Sequence, residues 1–453
     1  MSSGGGFDIL HAAHQRGIFV SAQPFIICFI AANIAFLTLD PLQTWRNIEF
    51  LAVISPLWLP IVLGKFAFLR WVTANRLAFI ARQEYVLLEI RIPRDVRKTP
   101  LAMEAVFSSM HLRPGESTWW KRLVIGAVRP SWSYEIVSLG GRVHLFVRTR
   151  VGFRRGLESY IYAQYPGVEI IEAEDYSLKV DPTAHDWDLW GCEYKFTAKD
   201  VYPIRTYAEF MKPDSPLAKP EEQVDPLAQI FEMLGSLSPK EQFWIQILVR
   251  VTKDDKYVGK KNSSGKQYTI FDEKNEELEA IRKSITRKQT HVDPATGKTF
   301  ETESFPNPTK GQMNQMEALE RKLSKPLFDV GIRSIYTAPK DAYQGIVVSH
   351  LIGLWNPIAS AQGNSFGITR WFANFDDWPW EDPKGHHHHH SAHGLVDSYR
   401  RRSYFNEPYK MPWQVMNTEE LATIFHIPSS GVTTPSLPRI QSSTSEAPSN
   451  LPT

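Results

Sequence analysis

Two long apolar runs near the amino end constrain the fold of this 453-residue chain more than any other feature. The first run, residues 18–39, carries no charged side chain, and the second, residues 50–69, carries only Lys65. Each run has about the 20 residues that an α-helix needs to cross the hydrocarbon core of a bilayer. The sequence therefore predicts a transmembrane helical hairpin, with residues 40–49 as its turn.

The distribution of positive charge predicts how that hairpin is oriented. Basic residues flank the exit of the second run, whereas the turn has one: Lys65, Arg70, Arg76 and Arg82 against Arg46. Because positive charge stays on the cytoplasmic side, both termini are expected in the cytoplasm. A cleaved signal peptide would need a basic segment directly before the first run, and none is present. A buried helical pair in a globular core stays open as an alternative, since Pro56 and Pro60 interrupt the second run.

Composition excludes several other classes of protein. The chain is 43% hydrophobic and 12% aromatic, which is enough to build cores for two or three domains. Its formal charge of +2 is too small to indicate nucleic-acid binding by the whole chain, so a basic surface would have to be local. Cys28 and Cys192 are too far apart in sequence for a Cys-x-x-Cys motif, which excludes a disulfide framework and a zinc knuckle.

Residues 84–180 show the alternation of a β-α-β-β-α-β module. Tyr85–Ile92 is a strand, Thr99 and Pro100 begin a helix, and Gly140-Gly141 is the two-residue turn of a hairpin. This order is that of the ferredoxin-like split βαβ fold. Residues 185–356 resume a similar order, interrupted by a polar, helical insertion at 253–308 that we expect to protrude without a core of its own. The predicted fold class is α+β: a two-helix transmembrane hairpin in residues 18–83, then two ferredoxin-like modules.

One face of the first module's sheet is expected to be open and basic. Alternation in the second hairpin strand places Val143, Leu145 and Val147 on the side of the helices. The opposite side has Arg142, His144, Phe146, Arg148 and Arg150. All of these except Phe146 are candidate contacts for nucleic acid or lipid. Aromatic residues precede them in the sequence: Trp119, Trp120, Trp132 and Tyr134. Such a face is suited to binding single-stranded nucleic acid or anionic lipid headgroups. It is equally suited to contact with water or to packing against a neighbouring module.

Motifs for catalysis, cofactors and metals are weak throughout the chain. Gly297-Lys298-Thr299 has the last letters of a phosphate-binding loop, but Val292 replaces its first glycine. No Gly-x-Ser-x-Gly elbow occurs. The tract His386–His390 would bind nickel or zinc adventitiously, without acidic or cysteine ligands at fixed spacing. We therefore predict no catalytic, cofactor-binding or metal residue, no cofactor, and no enzymatic activity.

The carboxyl-terminal third carries a family resemblance. Residues 417–428 read NTEELATIFHIP, and the preceding linker, 357–416, contains the basic-aromatic sequence RRRSYF. Together with the hairpin and the paired modules, these segments resemble the non-motor, N-terminal region of membrane-anchored conjugative transfer and type IV secretion ATPases of the VirB4 and VirD4 kind. In those relatives the ATPase domain follows directly. Here a Ser/Thr/Pro-rich tail, residues 429–453, follows instead.

That resemblance implies a function and partners. The expected function is a non-catalytic platform subunit at the bacterial inner membrane, a homo-oligomer that docks a separately encoded P-loop ATPase. Residues 1–17 form an amino-terminal tail, and the flexible end after 428 would reach the partner. The alternative is a membrane-tethered nucleic-acid-binding protein that uses the basic sheet face. The expected docking residues are Arg400, Arg401, Arg402, Tyr404, Phe405, Glu419, Glu420 and Phe425.

Overall fold

The computed structural model describes residues 41–93, 96, 98–112, 116, 118–211, 225–285, 288–292, 299–303, 307–370, 386–429 and 437–440. The chain forms two compact units. The first consists of residues 1–83, 115–128 and 369–388, and the second of residues 84–114, 129–368 and 389–453. The predicted amino-terminal tail, the first apolar run and most of the carboxyl-terminal tail lie outside the described residues.

Helices and strands alternate along most of the chain. The helices are α1 (Pro41–Ala81), α2 (Leu101–Ser109), α3 (Trp119–Leu123), α4 (Arg154–Gln164), α5 (Tyr207–Met211), α6 (Ala228–Gly235), α7 (Ile270–Ile285), α8 (Lys310–Leu323), α9 (Gly345–Ile352), α10 (His386–Arg400) and α11 (Thr418–Ile424). The strands are β1 (Tyr85–Pro93), β2 (Trp132–Leu139), β3 (Arg142–Arg150), β4 (Glu169–Glu172), β5 (Trp187–Phe196), β6 (Gln242–Val251), β7 (Lys288–Val292), β8 (Thr299–Glu303), β9 (Leu327–Pro339), β10 (Phe366–Arg370), β11 (Gln414–Asn417) and β12 (Arg439–Ile440).

The predicted transmembrane hairpin is wrong. Across the part of the chain that the structure describes, no helix has both the length and the apolar character needed to cross a membrane. The second apolar run lies within α1, which also includes the predicted turn from Pro41 onward. Glu49 and Lys65 bracket its uncharged part, residues 50–64, which is shorter than the span of about 20 residues that a bilayer core requires. This finding contradicts both the predicted transmembrane helices and the predicted location in the inner membrane.

The second unit is an α+β fold built on one large sheet. Its strands follow the order β10-β5-β9-β6-β2-β3-β1-β12, while β4 also pairs with β1 and β11 with β9. In the first half the order β4-β1-β3-β2 is that of a split βαβ unit, with antiparallel pairing throughout. The hairpin between β2 and β3 turns at Gly140 and Gly141, both at positive φ, as predicted. Antiparallel pairing of β2 with β6 then joins the halves into a single sheet.

The second half repeats the strand order of the first. Numbered 1 to 4 in chain order, the strands β5, β6, β9 and β10 lie side by side in the order 4-1-3-2. The four strands of the first half have the same order. Where the first half has a tight hairpin, the second has the long segment between β6 and β9. Helix α7 of the predicted insertion, 253–308, does not protrude alone: its Leu278 and the preceding Tyr268 pack with Leu319 of α8 in a small buried cluster. Periodicity alone missed it because several of its apolar partners, such as Val415, come from distant segments.

The main hydrophobic core lies on one face of the sheet. Val143, Leu145 and Val147 of β3 are buried there, on the side that alternation predicted for the helices. The same cluster includes Phe107 of α2 and Phe425, which follows α11. The carboxyl-terminal motif is therefore part of the core of this unit.

Candidate docking pocket

Residues 414–428 fold as a strand followed by a short helix. Strand β11 pairs with the start of β9, and Asn417 then caps α11. The Asn417 side chain accepts a hydrogen bond from the Glu420 backbone N–H at 2.8 Å, and the Glu420 carboxylate accepts one from the Asn417 N–H at 3.0 Å. This reciprocal capping box satisfies two N–H groups that a helix start would otherwise leave without partners. Every residue of α11 is buried.

The Glu420 carboxylate is an internal anchor of the motif. It lies 3.1 Å from the Lys322 ammonium of α8, and both side chains are fully buried. It also accepts a hydrogen bond from the Ile204 backbone N–H at 3.1 Å. A buried carboxylate is tolerated when it is paired with a cation and its remaining lone pairs accept hydrogen bonds. Glu420 therefore ties α11 to α8 and to the segment before α5.

Glu419 connects the buried motif to the surface. Its carboxylate lies 2.8 Å from the Arg321 guanidinium and 2.6 Å from the Lys325 ammonium, and it accepts a hydrogen bond from the Thr206 hydroxyl. Burial raises the pKa of Glu419, but the bonds from Lys325 and Thr206 and the nearby charge of Arg321 outweigh it and hold the pKa below its ordinary value. The Arg321 side chain is half exposed, so it presents this ion pair to solvent.

A polar pocket of about 360 Å³ opens over this ion pair. Its walls come from the segment before α5, from α8, from the loop at 360–363 and from the motif itself. Most of the lining residues have polar side chains, among them Thr206, Glu209, Gln315, Glu317, Arg321 and Gln362. Amide side chains can both donate to and accept from a peptide backbone, and the exposed carboxylates of Glu209 and Glu317 attract cations. The pocket suits an extended peptide segment with a basic side chain.

The docking residues expected from the sequence are mostly inside the protein. Of the eight, only Arg401 has a side chain that is mostly exposed, at 63%. Its neighbour Arg402 is buried, as are Tyr404 and Phe405. Arg400 donates hydrogen bonds to the carbonyls of Ser177 and Val180 at 3.1 and 2.9 Å. Glu419, Glu420 and Phe425 are also buried, and of the eight only Glu419 lines the pocket.

The buried arginine Arg402 contacts a mostly polar row of side chains that sequence reasoning missed. Cross-strand register places side chains of six adjacent strands in one line on the sheet face opposite the main core: Glu89, Phe146, Glu135, Gln246, Arg333 and Glu193. Arg402 donates to both oxygens of Glu135, at 3.0 and 3.1 Å, and also binds Asp175. Gln246 donates to Glu135 and to the Tyr399 carbonyl, each at 3.2 Å. A Glu, Gln or Arg at the centre of an otherwise apolar strand is the sequence signal for this row.

The basic sheet face is not an open row of cations. Arg142 is exposed, but the His144 ring lies 2.6 Å from Glu89, and Arg148 lies 4.2 Å over the Tyr85 ring. The hydrogen bond and the charge of His144, together with the charge of Arg91, lower the pKa of Glu89 against the opposing effect of burial. Phe146 is buried against Tyr176, at 5.0 Å between ring centroids, and Arg150 is partly buried. The centre of this face is thus covered by residues 174–181 and 398–405.

The aromatic residues that the sequence grouped with this face are separated in the structure. Trp132 and Tyr134 are buried in the main core, whereas Trp119 and Trp120 belong to the other unit and are exposed. Among the described residues there is no group of three or more His, Cys, Asp or Glu side chains that could hold a metal ion. Within the histidine tract, His389 lies one turn from His393, with 3.1 Å between their Nε2 atoms.

Comparison with known proteins assigns no family. No protein-family model matches the chain, and no curated protein matches it either.

Proposed function

We propose that this protein is a non-catalytic platform subunit of a DNA-transfer or type IV secretion apparatus, and that it binds a separately encoded P-loop ATPase at the polar pocket. The observation that carries the proposal is that NTEELATIFHIP, the motif that resembles the segment leading into a motor domain, supplies one wall of this pocket through Asn417 and Glu419.

Burial of the motif decides which part of it a partner can reach. Because α11 is buried, its side chains cannot be the contact surface without unfolding the unit. The motif instead holds Arg321 in place through Glu419, and Arg321 faces the pocket. The accessible contacts are then the rim residues, chiefly Glu209, Glu317 and Gln362. A basic, extended segment of the ATPase is the chemical match to this rim.

Co-purification tests the proposal on the whole 453-residue chain. The tagged chain is recovered from its native cells, and the associated proteins are identified by mass spectrometry. We expect a P-loop ATPase in stoichiometric amount. Combined Glu209→Lys and Glu317→Lys substitutions should lower its recovery at least about tenfold, since they place positive charge opposite a basic segment.

A matched pair of charge reversals provides the control. Glu320 lies on α8 outside the pocket lining, and Glu174 is 85% exposed on a different segment. Glu320→Lys with Glu174→Lys changes the net charge equally and should leave recovery unchanged. Absence of any P-loop ATPase from the wild-type sample would contradict the platform function, while equal losses in both double variants would contradict the pocket.

A further inference from the structure

An exposed pair of tryptophans stands out on the first unit. Trp119 and Trp120 begin the short helix α3, and their side chains are 64% and 53% exposed. The two rings are 5.7 Å apart between centroids and inclined by 83°. Two adjacent exposed indoles leave a contiguous apolar area in water, and contiguous areas of this kind commonly mark interaction sites. Lys121 and Arg122 follow directly and are also exposed.

The helix that carries these tryptophans is held in a defined position. The Thr118 side chain caps it by accepting a hydrogen bond from the Lys121 backbone N–H at 3.3 Å. At its other end, the Asn75 side chain of α1 donates to the Leu123 carbonyl at 3.2 Å. Gly126, at φ +73°, packs so closely on the backbone of Asn75 that a Cβ atom there would lie 2.3 Å from it. The backbone that carries the two indoles is therefore fixed against α1.

Helix α1 carries a further exposed tryptophan close to its contact with α3. Trp71 lies one turn before Asn75 on the same helix face, and its side chain is 44% exposed. The described residues of this unit within 65–83 and 116–128 carry a positive net charge. They include one acid, Glu116, and the following cations: Lys65, Arg70, Arg76, Arg82, Lys121 and Arg122. Aromatic faces and positive charge thus occur together.

We propose that this surface, defined by Trp71, Trp119, Trp120, Lys121 and Arg122, binds single-stranded nucleic acid without regard to sequence. Bases stack on exposed aromatic rings, and lysine and arginine neutralise the backbone phosphates. Charge complementarity favours this occupant, because a base can stack on an exposed indole while its phosphate meets the neighbouring Lys121 or Arg122. The inference is independent of the docking pocket, which belongs to the other unit.

Binding of a fluorescein-labelled oligothymidylate of about 20 nucleotides to the whole 453-residue chain, followed by anisotropy, tests the proposal. We expect combined Trp119→Ala and Trp120→Ala substitutions to raise the dissociation constant about tenfold or more, since both stacking platforms are lost. Lys121→Glu with Arg122→Glu should reduce the slope of log affinity against log salt concentration by about 1.4, the loss of two phosphate contacts.

Trp45 provides the matched control. It is 64% exposed on the same unit, but near the start of α1, where Glu49 offsets Arg46. Trp45→Ala should leave the dissociation constant unchanged. The proposal is overturned if the wild-type protein does not bind the oligonucleotide, or if the Trp119 and Trp120 double variant binds as tightly as the Trp45 variant. It is equally overturned if vesicles containing phosphatidylglycerol bind this surface and the oligonucleotide does not.

Discussion

Two adjacent arginines show how environment, rather than residue type, decides what a side chain contributes. Arg401 is exposed and paired with Asp397 one turn earlier on the chain. Arg402 is buried, at a positive φ of 51°, and its guanidinium binds both Glu135 and Asp175. An exposed pair of this kind contributes about 0.3–0.5 kcal/mol. Removing one partner of a buried pair costs about 3–5 kcal/mol, because the other charge stays in the interior without compensation.

Substitution of each arginine by methionine separates these two situations. We expect Arg402→Met to lower the free energy of unfolding by about 3–5 kcal/mol, since Glu135 would remain fully buried without its cation. Arg401→Met should change it by less than about 0.5 kcal/mol. Urea denaturation monitored by circular dichroism measures both. Equal effects of the two substitutions would mean that Arg402 does not act as a buried anchor.

At the scale of elements, two helices begin with the same capping motif, which is exposed in one helix and buried in the other. Helix α8 starts with a capping box between Thr309 and Gln312, and α11 with one between Asn417 and Glu420. Thr309 is exposed, whereas Asn417 is buried and its side-chain amide also donates to the Lys322 carbonyl at 3.1 Å. Loss of the exposed cap leaves the freed N–H groups to water, but loss of the buried cap leaves them without partners.

Alanine substitution at the two caps should therefore differ in cost. Thr309→Ala is expected to destabilise the protein by about 1 kcal/mol, the usual value for an N-cap. For Asn417→Ala we expect about 2–3 kcal/mol, because buried polar groups lose their partners. Thermal and urea unfolding of both variants provides the comparison, and a smaller loss for Asn417→Ala than for Thr309→Ala would contradict this account.

Over the whole molecule, buried and partly buried carboxylates couple stability to pH. Burial raises the pKa of Asp175, but hydrogen bonds and charge from Arg402, with further bonds from Ser177, outweigh it and lower the pKa below its ordinary value. Glu419 behaves in the same way. A carboxylate whose pKa is lower in the folded state stabilises the fold above its ordinary pKa, and this contribution is lost as the pH falls. Asp329 has the opposite effect, since burial raises its pKa beyond what Arg250 and Arg129 offset.

Acidification should accordingly destabilise the protein below about pH 4, because the unfolded chain then takes up protons at Asp175 and Glu419 that the folded protein does not. We expect Asp175→Asn to be less stable than wild type at pH 7, and the difference between the two proteins to shrink between pH 5 and pH 2. Urea unfolding at about pH 7, 5, 3 and 2 measures this. A difference that stays constant over that range would show that the Asp175 carboxylate is not coupled to folding.

Local sequence patterns predicted part of this architecture correctly. The glycine pair at 140–141 indicated a hairpin because positive φ angles at adjacent positions favour glycine, and both residues have such angles. Alternation in β3 assigned Val143, Leu145 and Val147 to the core face, since successive side chains of a strand point to opposite sides. Hydropathy over the second apolar run did not predict its helix correctly, because a count of apolar residues does not show where the helix continues into charged ones.

The sequence by itself determined which strands and turns form and which strand face is apolar, because these properties depend on residues a few positions apart. Only the tertiary structure decided that the motif at 417–428 is core and that the centre of the basic sheet face is covered. Both results depend on partners far away in sequence: Glu420 meets Lys322 and Ile204, and Arg402 meets Glu135. Whether a charge is exposed or buried depends on such long-range contacts, which the local pattern does not contain.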